Sequence, residues 1–506
     1  MLDRSATRSR PVVRPHPVSR ARPGSRLRGF VLPAAVALLT AAFRLAVDLR
    51  SGGLLGAGSV DDGVHYAASA ALLAGRLPYR DLLFLHPPGV LIALLPFTAA
   101  ARIVGDPTAF AAARLAGILL GAVNAGLVAV VLRRRGVAAQ LAGAFVYACS
   151  WPVVFAERSA LLEPLGCALL LAALALVVDP PSRRRAAVAG ALLGAACVVK
   201  LTFVLPVLVV VLALRRRAPV AAVAAALVAA AVCLPFLMAA PEAMPRMLIA
   251  DQLGRRRIVP LVGLRLAAIT IPPAVPGVPQ RIVLGAVLLL ALAVVLVGLA
   301  TPGARRFAVM AVAEVVALLA APSFYGHYAI LALLPLAVLT GTAVGRLSGV
   351  MRRTAPRAVA GTAVAALLVA VVLGAWTPGR VAKLSDPALP AGMVAALRQT
   401  TGCTTADAAT VLVLADVLTR DLRRGCDVRP DVTGWQYDPA GRTAADPPLR
   451  PADDPVYQRV TASWLRSGTV LALARASDGL ATATRDRLLD GDVLYRGPEG
   501  VVVRTR

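Results

Sequence analysis

Lysine is almost absent: Lys200 and Lys383 are the only two in 506 residues, although Lys and Arg together number 54. Acid is scarce, at 27 Asp and Glu, and histidine scarcer still, at four. The chain has no glycine loop of the nucleotide-binding kind, no HExxH helix and no paired CxxC. The first absence argues against ATP-driven transport, the other two against a zinc hydrolase. No two-fold internal repeat is visible, and few polar groups fall near the middle of the apolar runs. Both absences weigh against a secondary transporter or flippase, which builds its site at mid-membrane from matched halves. The net charge of +27 does not imply a nucleic-acid partner. Its arginines sit in short clusters between apolar runs, where loop ends carry them, and the preference for arginine over lysine fits a G+C-rich coding sequence.

What remains is apolar. Hydrophobic residues make up 58% of the chain and the mean hydropathy is +0.74, well above that of a soluble protein. Fifteen of the 27 acids follow position 380, so the last 125 residues or so have ordinary soluble composition. The expected architecture is an α-helical polytopic membrane protein with a small C-terminal α/β domain outside the membrane.

Residues 1–28 carry eight arginines and several prolines and read as a disordered cytoplasmic tail. The run 29–49 is too long for a signal-peptide core and reads as an uncleaved first span. Further runs lie near 110–132, 137–155, 160–178, 218–239, 281–300, 307–322, 328–346 and 357–376, and 186–214 fits two passes turning at Lys200. The segment 86–104 is ambiguous: a full crossing there would put Arg133–Arg135 outside, so it either dips into the membrane or lies along it. Eleven to thirteen spans result. With the arginine clusters inside, the first outer loop is 50–85 and the membrane region ends near 379. The region 380–506 is then an extracytoplasmic domain of a plasma-membrane protein. In it Asp407 is expected to cap a helix through Leu422, and strands are expected at 469–474, 493–495 and 501–503. Cys403 and Cys426 flank that helix and are disulfide candidates in an oxidising compartment. Cys149, Cys167, Cys197 and Cys233 fall in apolar spans as small buried residues.

Few polar residues lie at the outer ends of the spans. Asp61 and Asp62 follow a glycine-rich stretch and precede Gly63, His65 and Tyr66. A carboxylate there can serve as general base toward a hydroxyl, or simply cap the helix that follows. Lys200 interrupts an apolar run, which costs free energy unless it snorkels or pairs. Arg158 offers a fixed positive charge or a partner for Glu157 or Glu163. Glu314, within a span, suits a hydrogen bond to a neighbouring helix. His327 and Tyr328 suit a site or an interfacial aromatic belt. Trp435 and Tyr437 suit acceptor contact or a small core.

The run Asp61-Asp62-Gly63, Tyr66, Gly75, Pro78-Tyr79-Arg80-Asp81 and Pro87-Pro88-Gly89 resembles the first outer loop of GT-C glycosyltransferases, nearest the branch of protein O-mannosyltransferases and lipid A aminoarabinose transferases. Three later stretches fit the same pattern. Glu157-Arg158-Ser159 with Glu163-Pro164 resembles the second acidic motif. Gly190, Gly194 and Lys200 resemble a glycine-spaced helix closed by lysine. Phe324-Tyr325-Gly326-His327-Tyr328 with Pro335 resembles the late outer turn. The resemblance covers residues 29–350 and implies a polyprenyl-phosphate sugar donor, an extracytoplasmic acceptor and Asp61 as catalytic base. It makes Asp62 a supporting residue where relatives carry glutamate, and puts His86 where some carry a phosphate-binding lysine. It leaves a divalent cation open, since some relatives use one. A non-catalytic envelope-assembly protein of the same fold is the alternative.

Overall fold

The computed structural model describes residues 23–58, 60–255, 259, 261–351, 357–384, 386–437, 449–474 and 479–505. The expected N-terminal tail therefore lies outside the described residues up to 22. Its last part is helical, because α1 begins at Pro23 and runs to Arg50.

From α1 the chain continues through α2 (Asp61–Leu73), α3 (Gly89–Val104), α4 (Asp106–Leu132), α5 (Val137–Cys149), α6 (Trp151–Glu157), α7 (Leu162–Leu176), α8 (Arg183–Val199), α9 (Val204–Ala213) and α10 (Ala218–Ala239). Later long helices are Gln280–Leu299, Arg305–Ala320, Ala329–Met351 and Arg357–Leu373. Five helices are long and apolar enough to span a membrane by themselves, and α5 with α6, bent by 63°, makes a sixth. The protein is a multi-pass membrane protein.

Side-chain contacts define the two ends of the bundle. At one end Arg133 and Arg134 meet Asp179, Arg135 donates to the carbonyl of Pro302, and Arg306 donates to that of Val177. Arg346 joins them through Thr301. This is the arginine face. At the other end lie residues 157–163, Lys200, 321–328 and the whole C-terminal region. Between these faces pass α1, α4, α5 with α6, α7, α8, α9, α10 and the four later long helices, eleven passes along the described residues. Several are shorter than the roughly 20 residues an isolated span requires. α7 tolerates this because it is sheathed by α4 and α8, so its ends meet protein rather than lipid.

α3 is not a pass, which settles the ambiguity of 86–104. It lies along α2, with the Ser69 hydroxyl donating to the Leu91 carbonyl and Arg102 to that of Leu73. α2 itself touches the C-terminal region at its start, where Gly63 abuts Thr410, and just past its end, where Arg76 donates to the Cys426 carbonyl. A helix running beside α2 therefore stays on the C-terminal side. α4 then starts from Gly105, whose φ of +84° suits glycine.

The C-terminal region holds a four-stranded sheet in the order β1 (Thr404–Ala406), β2 (Val470–Leu473), β4 (Gly500–Arg504), β3 (Asp492–Gly497). β1 and β2 are parallel and the other pairs antiparallel. Short strand signals at the last three are matched; β1, three residues long, carried none. The expected helix through Leu422 breaks in two, Ala409–Leu414 and Leu418–Arg423, at Asp416, which has a φ of +61°. Ala408 holds its N-cap position, and the Asp407 carboxylate accepts from the Ala474 backbone N–H (2.9 Å), which closes the end of β2. Cys403 and Cys426 are joined in a disulfide. One apolar core runs from Tyr66, Leu91 and Phe110 into Val411, Leu418 and Val502, so the C-terminal region is packed on the α2–α3 pair.

Candidate active site

The glycine-rich approach to the acidic pair is shaped by one tail residue. A β-carbon at Gly52, Gly56 or Gly58 would stand 2.0, 2.3 or 2.1 Å from atoms of Asp386. Only glycine lets the loop lie that close, and it is fastened there by Asp386 N–H to Ser51 O (2.7 Å) and Ala57 N–H to Pro387 O (2.9 Å). The loop delivers the chain to α2, whose first residue is Asp61.

Neither aspartate is the N-cap, a position held by Val60 with no side-chain hydrogen bond. Both stand in the first turn, where negative charge complements the helix dipole. They then part. Asp62 is fully buried, accepts from Arg114 Nε (2.8 Å) and from the Gly63 N–H (2.8 Å), and faces away from the cavity. Asp61 is exposed and lines the cavity.

Arg114 is the clamp behind this arrangement. It also donates to the carbonyls of Leu54 (2.9 Å) and Gly56 (2.6 Å) and lies 4.2 Å over the Phe110 ring. The following loop is equally fixed. Tyr79, at a φ of +70°, places its hydroxyl 2.6 Å from the His86 carbonyl, while Asp81 accepts from Arg80 Nε (2.8 Å) and from Leu77 N–H (2.8 Å).

The second acidic stretch splits the same way. Glu157 is fully buried among Arg44, Asn124 (2.6 Å) and Tyr147 (2.7 Å) and locks α6 to α1, α4 and α5. Arg158 pairs with neither Glu157 nor Glu163. It binds Asp386 (2.8 Å) and the Leu384 carbonyl (2.9 Å) and packs 4.9 Å from the Phe155 ring. Lys200 does not snorkel. It is buried, paired with Glu163, and stands 4.0 Å over the Tyr328 ring. His327 lies 3.7 Å from the same Glu163 oxygen. Glu314, expected to bond a neighbouring helix, is buried with its Oε1 unpartnered among the described residues.

Part of this set meets in one cavity of about 610 Å³. Asp61, His86, Arg158, Glu163, Lys200, His327 and Tyr328 line it, as does His65, and Asp62 does not. Every histidine among the described residues is therefore here. His65 and His86 are 5.6 Å apart, ring to ring. Burial pushes both below the ordinary imidazole value, His86 well below it with help from the positive charge of nearby Lys200 and Arg255. They are neutral donors or acceptors near pH 7. The tail contributes the other wall, with Asp431, Thr433, Gln436, Arg450 and Tyr457. Burial raises the Asp431 carboxyl, opposed by the N–H of Gly434 and reinforced by the like charge of Asp61. Trp435 instead takes the Arg429 guanidinium on its face, at 4.0 Å. Among the described residues no three His, Cys, Asp or Glu side chains form a metal-binding group. Of the acids lining the cavity, Glu163 is paired with Lys200 and Asp431 accepts from the Gly434 N–H (2.6 Å) and the Thr433 hydroxyl (3.1 Å), while Asp61 stands exposed.

Sequence reasoning missed Arg114, Arg255, Asp386 and Asp431. Arg114 did carry a signal, a charge inside an apolar helix like Lys200. The tail acids carried none, because nothing local ties residue 386 or 431 to residue 61.

No protein-family model and no curated protein matches the sequence. Solved structures do match the fold. ArnT from Cupriavidus metallidurans aligns at a TM-score of 0.57 and 16% identity over 95% of this chain and 98% of its own. The same protein bound to undecaprenyl phosphate gives 0.57 and 17%, over 94% and 97%. The oligosaccharyltransferase AglB from Archaeoglobus fulgidus, in complex with an inhibitory peptide and a dolichol-phosphate, aligns at 0.56 and 12% over 90% of this chain and 70% of its own. Both lie in the GT-C superfamily of polyprenyl-phosphate-dependent glycosyltransferases, and the chain described here has the GT-C fold.

Proposed function

We propose that the protein transfers a sugar from a polyprenyl-phosphate carrier to a hydroxyl acceptor on the side of the membrane that holds the C-terminal region. The observation that carries this reading is the placement of Asp61. It is the exposed carboxylate of a buried–exposed pair, held by Arg114 and the glycine loop at a cavity whose walls bring Lys200, Arg158, Arg255 and Arg450. Solved neighbours of the same fold hold undecaprenyl phosphate or dolichol-phosphate.

In the proposed reaction an Asp61 oxygen takes the proton of the acceptor hydroxyl as that oxygen bonds to the anomeric carbon. The bond from that carbon to the carrier phosphate breaks, the configuration inverts, and polyprenyl phosphate leaves with the electron pair. Negative charge growing on the phosphate is met by the fixed charges of Lys200 and Arg158. His86 and His327 line the same cavity and supply ring N–H groups to it. Lys200 and Arg158 already have carboxylate partners, Glu163 and Asp386, which hold their geometry before substrate arrives. No step is routed through a metal ion. The arginine face fits the cytoplasmic side of a cell membrane and the disulfide fits the outer side, so the acceptor is a glycolipid, a cell-wall glycan or a protein outside the cytoplasm.

Membranes carrying the protein, given radiolabelled polyprenyl-phosphate sugars, should yield labelled acceptor. Asp61→Asn should lower that rate by ~10²–10⁴-fold, the usual weight of a positioned base, with the protein still inserted. Unchanged transfer by Asp61→Asn overturns the role of Asp61. No transfer from any carrier sugar would leave the envelope-assembly alternative.

A further inference from the structure

A second cleft lies at the other end of the α2–α3 pair. It measures about 360 Å³ and is formed where the C-terminus of α3 and the start of α4 meet the tail helix Leu418–Arg423. Arg102, Arg420, Arg423 and Arg424 line it. Arg420 belongs to the fold, donating to Asp421 (2.8 Å) and to the Thr404 hydroxyl (3.1 Å). The other three have no carboxylate within ion-pair distance among the described residues. Arg102 makes a 3.3 Å bond to the Leu73 carbonyl and Arg424 a 3.4 Å bond to that of Gly402, while Arg423 makes none among the described residues.

Two acids also line the cleft, and both are spoken for. Asp106 accepts from the N–H (2.8 Å) and hydroxyl (2.6 Å) of Thr419. Asp416 accepts from the Asp106 N–H (2.8 Å) and faces Arg398 at 3.7 Å. They bolt α4 to the tail and leave the arginines in excess. An anion is the ligand such a cleft takes.

The neighbouring residues say what the anion is attached to. Ile103 is 88% exposed and Val104 50% exposed, directly after Arg102 and at the end of a helix that stays on the C-terminal side of the bundle. An exposed apolar pair beside unpaired guanidinium groups matches a lipid, with its phosphate on the arginines and its chains on the isoleucine. We infer that Arg102, Arg423 and Arg424 form a binding site for the phosphodiester headgroup of an anionic phospholipid, which seals the tail onto the α3–α4 corner. The volume suits a headgroup, at the lower end of the range of about 300–1,000 Å³ for ligand clefts. The site stands apart from the sugar-transfer cavity, separated by the length of α3, roughly 24 Å at 1.5 Å per residue.

The test uses the full chain in detergent, with native mass spectrometry to count retained lipid. Phosphatidylglycerol should be retained in preference to phosphatidylcholine. Arg423→Gln should weaken retention about fivefold and Arg102→Ala with Arg423→Gln about twenty-fivefold, as expected per arginine near an anionic lipid. Ile103→Ser should weaken it as well. Arg423→Gln breaks no hydrogen bond of the fold and decides the matter if the double variant is not monodisperse. Equal retention of the two lipids overturns the site, and so does wild-type retention by Arg423→Gln. If inorganic phosphate displaces phosphatidylglycerol at equal concentration and Ile103→Ser changes nothing, the cleft holds a free anion and the lipid assignment fails.

Discussion

Replacing Arg114 with methionine should cost more stability than its single ion pair suggests. Arg114 and Asp62 are both almost wholly buried, and the carboxylate has one other donor, the Gly63 N–H. Methionine fills most of the space but leaves a buried charge with one hydrogen bond. Breaking a buried pair from one side costs about 3–5 kcal/mol. The same change frees the carbonyls of Leu54 and Gly56, each worth about 1–3 kcal/mol if no water replaces the donor. A loss of about 3–5 kcal/mol is therefore expected where water takes over both carbonyls and about 5–11 kcal/mol where it does not, within a fold whose net stability is about 5–15 kcal/mol. Asp62→Leu should cost less, because Arg114 keeps two carbonyls and the Phe110 ring. The double variant Asp62→Leu with Arg114→Met should recover much of the loss, since a buried pair exchanged for apolar groups is often neutral. Sugar transfer should not recover with it, because the glycine loop that positions Asp61 stays unfastened. The assay is unfolding of the purified protein in a graded SDS titration, run beside transfer by the same four proteins. A coupling energy below about 0.5 kcal/mol, or an Arg114→Met protein as stable as the parent, refutes the reasoning.

Other expectations can be checked with the same protein. Gly63→Ala would put a β-carbon 2.1 Å from the Thr410 hydroxyl; it should loosen the tail from α2, read as faster limited proteolysis after residue 380, whereas Gly285→Ala, in the helix Gln280–Leu299 with open space around it, should leave that contact intact. Removing the disulfide by Cys403→Ser with Cys426→Ser should destabilise the tail by about 3 kcal/mol, the chain-entropy expectation for a loop of this length, measured as a lower midpoint of tail proteolysis with urea. His86 is held neutral by burial, below its ordinary value of 6.5. As pH falls through 6.5 the unfolded chain takes up a proton that the folded chain refuses, so stability should fall on acidification. His86→Gln should flatten that slope, and a slope unchanged by it would exclude His86 as the source. Glu163→Gln leaves Lys200 buried without its counter-charge and should reduce transfer about tenfold or more, the equivalent of 1.4 kcal/mol.

The membrane architecture was legible because apolar runs and arginine clusters are local features. Segments expected at 137–155, 186–214 and 281–300 reappear as α5 with α6, α8 with α9, and Gln280–Leu299. The turn at Lys200 was readable because a charge in an apolar run needs a reason, but its partner was not, since Glu163 lies 37 positions away. Local reading failed wherever a distant residue decided the matter. Arg158 passed over its neighbours for Asp386, and the Asp407 carboxylate reaches the end of β2, 67 positions away. The path of 86–104 depended on where the tail sits, which no stretch of α3 encodes.

The double engagement of Asp386 bears on how the protein is made. Its backbone supports the glycine loop before Asp61, and its carboxylate holds Arg158, so one residue near the end of the chain finishes two walls built from its beginning. A chain halted on the ribosome before residue 386 has its membrane helices but lacks both of those supports and the wall made by Asp431, Thr433, Gln436, Arg450 and Tyr457. Synthesis thus completes the cavity last, and a truncated product would be inserted yet unable to hold Asp61 and Arg158 in register.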